Sequence, residues 1–201
     1  ELIIKVKEPV STELNYLNKD NILFTYLHLA GNASQAVALA ETGVTAIAYE
    51  TVTSDHEPLP LLSPMSEIAG QLAFVVGSNY LLKHNMGVGK LLGYSNELDS
   101  AIVTVVGAGA AGKQAILKAV ANGAHVKIID LSAQKLTELE SEFGSSNIEY
   151  IKSSPAAILA AVKQTDLLIG AVYVVGKTAP KVFSVDMIKS MKPGSVFVDI
   201  S

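Results

Sequence analysis

The stretch Ala101 to Asp130, AIVTVVGAGAAGKQAILKAVANGAHVKIID, limits the fold more than any other part of this chain. The run Ala101–Val106 is apolar almost throughout, as expected of a strand buried on both faces. Glycines follow at Gly107, Gly109 and Gly112 and open an amphipathic segment. A second apolar run, His125 to Ile129, ends in Asp130. Strand, G-x-G-x-x-G turn, helix, strand and acid form, in that order, the fingerprint of dinucleotide binding. Gly107 permits the tight turn. Gly109, lacking a Cβ, lets a pyrophosphate approach the backbone. Gly112 lets the helix pack close to the strand. The helix N-terminus, where Ala110 and Ala111 sit, presents free N–H groups and partial positive charge to an anion. Asp130 can accept hydrogen bonds from a ribose diol.

Downstream the alternation is regular. It predicts strands near 101–106, 125–129, 148–151, 167–172 and 195–200, and helices near 110–122, 132–142, 155–163 and 184–190. Five strands with four crossovers make an α/β fold, a Rossmann-type doubly wound parallel sheet. Upstream, Leu2–Val6, Ile22–Leu27 and Thr45–Tyr49 read as strands, and Ala33–Glu41 as a helix stopped by Gly43. This first region is α/β in character but incomplete. Ser63 as N-cap with Pro64 at the first helical position starts a helix whose apolar pattern runs from Met65 to about Leu82. That is long enough to bridge two domains. Met86–Ser100 reads as a linker. The expected organisation is a partial domain over 1–62, a connecting helix and linker over 63–100, and the nucleotide domain over 101–201, truncated at its C-terminal end. Gly87-Val-Gly-Lys90 only hints at a phosphate loop, because its first glycine is misplaced and Leu91 stands where Ser or Thr belongs.

Composition narrows the partners. Of 201 residues, 49% are hydrophobic, so a sizeable core is available, and the net charge is −4 with no basic stripe, which argues against nucleic acid. Cysteine is absent, which excludes disulfides and thiolate metal sites. No apolar run approaches the roughly 20 residues of a membrane helix, and no signal peptide opens the chain, so a cytoplasmic location is expected. Asn32-Ala33-Ser34 matches a glycosylation acceptor but reads as incidental. The basic residues are all lysine. NADP sites commonly place an arginine at the 2′-phosphate, whereas Asp130 would repel it, so NAD is favoured. Both ends fall within strand-like runs, Leu2–Val6 and Ser195–Ile200, and the chain reads as a segment of a longer one.

The surrounding blocks say more than the fingerprint. Lys5-Val-Lys-Glu-Pro9, Phe24-Thr-Tyr-Leu-His-Leu-Ala30, Ile47-Ala-Tyr-Glu-Thr51 and Leu59-Pro-Leu-Leu-Ser-Pro-Met-Ser-Glu-Ile-Ala-Gly70 resemble the L-alanine dehydrogenase family. So do Asp166-Leu-Leu-Ile-Gly-Ala-Val172, Ala179-Pro-Lys181 and Met191-Lys-Pro-Gly-Ser195. The related nicotinamide nucleotide transhydrogenases share the architecture but lack the histidine block in this form. The resemblance implies reversible oxidation of L-alanine with NAD to pyruvate and ammonium, with residues 1–62 as part of the substrate domain. It implies a homo-oligomer, usually a hexamer, assembled around the connecting helix. By the same resemblance His28 is the catalytic histidine, Lys7 binds substrate and Met65 lines the substrate pocket. Ser66 contacts the pyrophosphate, Asp130 and Lys135 lie toward the adenosine ribose, Ser153 toward the adenine, and Val172 and Tyr173 along the nicotinamide.

These roles make chemical sense, although each residue also has a plainer reading. Imidazole titrates near neutral pH, and each of imine hydration and ammonia loss moves a proton. A lysine ammonium can polarise the pyruvate carbonyl or hold a carboxylate. Yet His28 lies in an apolar stretch, where a lone histidine is usually a packed core residue. Lys5 and Lys7 would point the same way on a flat strand, a solvated face. Ser66 could merely finish a helical turn, Asp130 a loop, and Met65 the core. No catalytic role is expected for His56, His84 or His125. The family's substrate-binding arginine and a further aspartate have no counterpart in this chain, and Gly93–Ser100 replaces its glycine- and proline-rich hinge. Those departures keep two rivals open: a catalytically degenerate NAD(H)-binding module, and a transhydrogenase-like NAD(H) domain.

Overall fold

In the first half of the chain, three short apolar runs pair side by side. The computed structural model describes residues 1–56, 59–93, 100–177 and 179–200. It forms two compact units: Glu1–Met65 with Val174–Ala179, and Ser66–Tyr173 with Pro180–Ser201. In the first unit β1 (Leu2–Ile4), β2 (Ile22–Thr25) and β3 (Thr45–Ala48) form a parallel sheet in that order, with α1 (Ala33–Glu41) between β2 and β3. Strand alternation sends Ile3 and Leu23 to one face, where they pack with Leu27 and Leu39. The opposite face leaves Leu2, Ile4, Ile22 and Ile47 exposed.

The strands end earlier than their apolar runs. Beyond Ile4 the main-chain pairing to β2 continues only through Lys5 N–H to Phe24 O and Tyr26 N–H to Val6 O. The Lys7 carbonyl is taken by the Thr25 hydroxyl at 3.0 Å instead. Asn32 caps α1, its Oδ1 accepting the Gln35 N–H at 3.1 Å, so the acceptor-like triplet is a helix start. Gly43 takes φ +72° just after that helix, the left-handed stop expected of it.

Helix α2 (Ser63–Tyr80) begins one residue before the expected position. Ser63 is not its N-cap. The chain already turns at Leu59, whose carbonyl accepts the Ser63 N–H at 2.9 Å and the Ser63 hydroxyl at 3.0 Å.

The second unit contains β4 (Ile102–Val106), α3 (Ala110–Ala121), β5 (His125–Asp130), α4 (Ala133–Phe143), β6 (Ile148–Lys152), α5 (Pro155–Gln164), β7 (Leu167–Gly170), α6 (Val185–Lys189) and β8 (Val196–Asp199). All five strands are parallel, in the order β6-β5-β4-β7-β8. Odd-numbered Val103, Val105, Leu167 and Ile169 join Val126 and Ile128 against α2, α3 and α4, through Phe74, Ile116, Leu136 and Leu139. Val106, Ile129 and Leu168 face the other way, against Ile158 and Val162 of α5 and Met187 and Ile188 of α6. Helices on both faces make this a doubly wound Rossmann-type sheet.

Strand order reverses at β4, which has β5 on one side and β7 on the other. In such sheets ligands bind outside the strand C-termini at that point. Helix α2 is drawn close to this unit by its glycines. A Cβ at Gly70 would stand 1.9 Å from the Ala111 carbonyl oxygen, and one at Gly77 would stand 2.4 Å from Leu167 Cδ1. Most of the altered hinge, residues 94–99, lies outside the described residues.

Candidate active site

The glycine turn follows the C-terminal end of β4, whose last residue, Val106, is in register with Ile129 of β5 and Gly170 of β7. Its three glycines have separable tasks. Gly107 takes φ +95°, and a Cβ there would meet the Ala171 carbonyl oxygen at 2.5 Å. A Cβ at Gly112 would lie 1.8 Å from the Gly107 carbonyl oxygen. Both positions are closed by the protein's own backbone. Gly109 differs: a Cβ would meet nothing within 4 Å, and its φ is an ordinary −74°. The fold therefore does not require glycine at 109. What glycine leaves there is bare backbone at the start of α3, beside Ala110 and Ala111, where N–H groups lack helical partners. A dinucleotide pyrophosphate fits this donor set.

The acid that ends β5 is tied to the same turn. Asp130 accepts the Ala108 N–H at 2.7 Å through Oδ2 and the Ser132 N–H at 2.8 Å through Oδ1. Ser153 follows β6 alongside, its N–H bonded to the Asp130 carbonyl at 2.9 Å. Lys135 stands exposed in the first turn of α4, its N–H capped by Ser132 Oγ at 3.2 Å. Val172 and Tyr173 follow β7 at the same end of the sheet, and the Val172 amide nitrogen lies against Gly107. Ser66 stands one turn before Gly70 on α2, about 6 Å along the axis, and Gly70 is the residue that touches Ala111. Asp130, Lys135, Ser153, Ser66, Val172 and Tyr173 thus gather around the carboxyl ends of β4, β5, β6 and β7.

The first unit carries Lys5, Lys7 and His28. Lys5 is half-buried and ion-paired with Glu13. That hydrogen bond, joined by the Val10 N–H, holds the Glu13 carboxyl below the ordinary carboxylate range. Lys7 lies beyond the strand on a bend, exposed, and its ammonium has no partner among the described residues. The flat-strand expectation, which put the two lysines in equivalent places, is corrected here: one is committed to a carboxylate and the other is available.

His28 is exposed rather than core-packed, and it takes φ 50° and ψ 32°, the left-handed region. The Tyr26 ring lies nearly parallel to it, with centroids 6.0 Å apart. Met65 is also exposed, at 46%, so core packing does not account for it.

Two matches to family models cover nearly the whole chain. Residues 1–69 match "Alanine dehydrogenase/PNT, N-terminal domain", and residues 73–201 match the C-terminal domain of the same family. The chain belongs to the alanine dehydrogenase/PNT family. It is 48% identical to an alanine dehydrogenase of Lysinibacillus sphaericus and 47% identical to one of Bacillus subtilis, each over all 201 residues and over 54% and 53% of the relative. Among solved structures, an L-alanine dehydrogenase superimposes with a TM-score of 0.85 at 43% identity, covering all of this chain and 55% of that one. A transhydrogenase from Sinorhizobium meliloti shares the fold, with a TM-score of 0.74 at 24% identity, over 98% of this chain and 57% of that one. The chain thus spans about half the length of the alanine dehydrogenases it matches. The Rossmann-type nucleotide domain expected from the fingerprint is the family's own.

Two acids that sequence reasoning left without a role prove central to this family member's architecture. Glu50, only 7% exposed, accepts the N–H groups of Leu27 and His28. Asp166, 1% exposed, accepts the Ile102 N–H at 2.9 Å and pairs with Lys90 and Lys192. Both acids stand next to apolar strand runs, a place where a carboxylate needs a buried partner. That was the available signal. The pairing of Lys90 with Asp166 also gives the Gly87–Lys90 segment a structural task in place of phosphate binding.

Proposed function

We propose that this chain is the central part of an NAD-dependent L-alanine dehydrogenase, which converts L-alanine, NAD+ and water to pyruvate, ammonium, NADH and a proton, reversibly. The observation that carries the reading is 47–48% identity over the full 201 residues to alanine dehydrogenases. The transhydrogenase-like alternative rests on fold alone, at 24% identity.

Bound NAD supplies the hydride acceptor. The residues of this chain do the rest. Gly109, Ala110 and Ala111 offer backbone N–H groups to the pyrophosphate, with the Ser66 hydroxyl as a further donor. Asp130 accepts the ribose hydroxyls, with Lys135 and Ser153 on the adenosine side and Val172 and Tyr173 on the nicotinamide side. His28 acts as acid and base: it takes a proton as water adds to the imine carbon and returns one as ammonia leaves. Lys7 holds the substrate carboxylate or polarises the carbonyl oxygen that becomes pyruvate's. Met65 lines the substrate pocket.

We place the full protein in the cytoplasm as a homo-oligomer, a hexamer by family resemblance. Among the described residues no helix is long and apolar enough to cross a membrane. Ile68, Leu72, Val75 and Val76 form an exposed apolar row along α2 that suits contact with another copy.

The test is NADH formation from L-alanine by the full-length protein, followed by absorbance. Turnover with alanine supports the reading. Turnover only with another amino acid moves the substrate, and NADH binding without turnover of any amino acid overturns it in favour of a degenerate binding module.

A further inference from the structure

We propose that Glu50 is a positioning residue for His28, holding the backbone from which the imidazole is mounted. This rests on the reading of His28 as the acid and base. The left-handed region is costly for any residue with a Cβ and persists only where the surroundings determine it. His28 occupies it at φ 50°. The determining contact is one buried carboxylate. Glu50 Oε1 accepts the His28 N–H at 2.6 Å and the Leu27 N–H at 3.2 Å, and Oε2 lies 3.3 Å from the same Leu27 nitrogen. Bonds to an ionised acceptor are about twice as strong as neutral ones. Two consecutive amides aimed at one anion curl the chain, and that curl sets the direction in which the His28 side chain departs.

The neighbourhood fits this role. Glu50 sits in a short 3-10 turn, Tyr49–Thr51, at the end of β3. Tyr49, beside it in sequence, packs edge-on to Tyr26 at 4.9 Å, and Tyr26 lies parallel to the His28 ring. The same turn therefore fixes the root of His28 through Glu50 and the aromatic plane beside it through Tyr49. Exposure leaves the imidazole accessible, while its attachment stays rigid.

The experiment compares full-length Glu50→Gln, Glu50→Asp, His28→Asn and the double variant Glu50→Gln/His28→Asn. A glutamine can offer one carbonyl but turns an NH2 toward an N–H. The expected result is a fall in kcat for alanine oxidation of about tenfold or more in Glu50→Gln, with KM for NAD unchanged. Glu50→Asp should recover part of the loss. The double variant should be no slower than His28→Asn alone, because the effect passes through His28. Wild-type kcat in Glu50→Gln, or losses that multiply in the double variant, would overturn the proposal. Should the variants not fold, hydrogen exchange on the wild-type protein decides: slow exchange of the Leu27 and His28 amides supports the proposal, and exchange at the rate of an unstructured chain overturns it. Undiminished turnover by His28→Asn is a separate outcome, which removes His28 from catalysis and this proposal with it.

Discussion

Asp130 reaches back across the sheet to the glycine turn, its Oδ2 accepting the Ala108 N–H at 2.7 Å. The residue proposed to select the ribose is thus also a strut of the glycine turn, and its substitution disturbs both. Asp130→Ser should lower kcat/KM for NAD, and the preference for NAD over NADP should fall on the order of 100-fold. Steady-state kinetics with each cofactor on the full-length protein measures this. An unchanged preference would remove Asp130 from cofactor selection.

The contrast between Gly109 and Gly112 separates folding from binding. A methyl group at 109 enters open space, while one at 112 meets a carbonyl oxygen at 1.8 Å. Gly109→Ala should leave the thermal midpoint nearly unchanged and raise KM for NAD about tenfold or more, since the added carbon stands where the proposed pyrophosphate contact would be made. Gly112→Ala should destabilise by about 1–3 kcal/mol or more through overpacking. Thermal unfolding beside cofactor titration distinguishes the two, and weak binding in both without loss of stability in either would refute the division.

The nucleotide unit was readable in the sequence because its signals are local. Strand, turn, helix and acid lie within thirty residues, and each glycine's task follows from its spacing to the next. Predicted and observed elements from 101 onward differ only at their ends, as with β7, expected over 167–172 and ending at Gly170. Glu50 was unreadable for the opposite reason. Its partners are main-chain N–H groups 22 and 23 residues away, which carry no side-chain signature. The difference between Lys5 and Lys7 was hidden in the same way. It depends on Glu13, and on a bend at Lys7 that alternation does not announce. Ser63 misled because a serine before proline also arises where an earlier turn has already taken its N–H.

That difference yields a paired test of the proposed substrate lysine. Lys7 is exposed with its ammonium available, while Lys5 is engaged by Glu13. Lys7→Met should reduce kcat/KM for alanine on the order of 100-fold and leave KM for NAD near the wild-type value. Lys5→Met should change kcat/KM severalfold at most, because it removes a partly exposed ion pair. The reverse ranking would exchange their roles.

Asp166 gives the nucleotide unit an acid-sensitive joint. Burial alone would raise its carboxyl, but the Ile102 N–H, then Lys192 and Lys90, outweigh that and hold it below the ordinary aspartate range. Its pKa in the unfolded chain is the ordinary one, about 3.9. The folded protein therefore binds this proton less readily than the unfolded chain does. The stabilisation is fully present above about pH 4 and is lost as pH falls through the lower folded value. Asp166→Asn keeps an acceptor for Ile102 but leaves Lys90 and Lys192 without their anion, and should cost about 1–3 kcal/mol at neutral pH. Denaturant unfolding of the full-length protein between pH 7 and pH 3 should show the wild type losing stability more steeply than Asp166→Asn at the acid end, so that the gap between them narrows. A gap that stays constant over that range would mean the Asp166 charge contributes nothing to holding β4, β7 and the segments of Lys90 and Lys192 together.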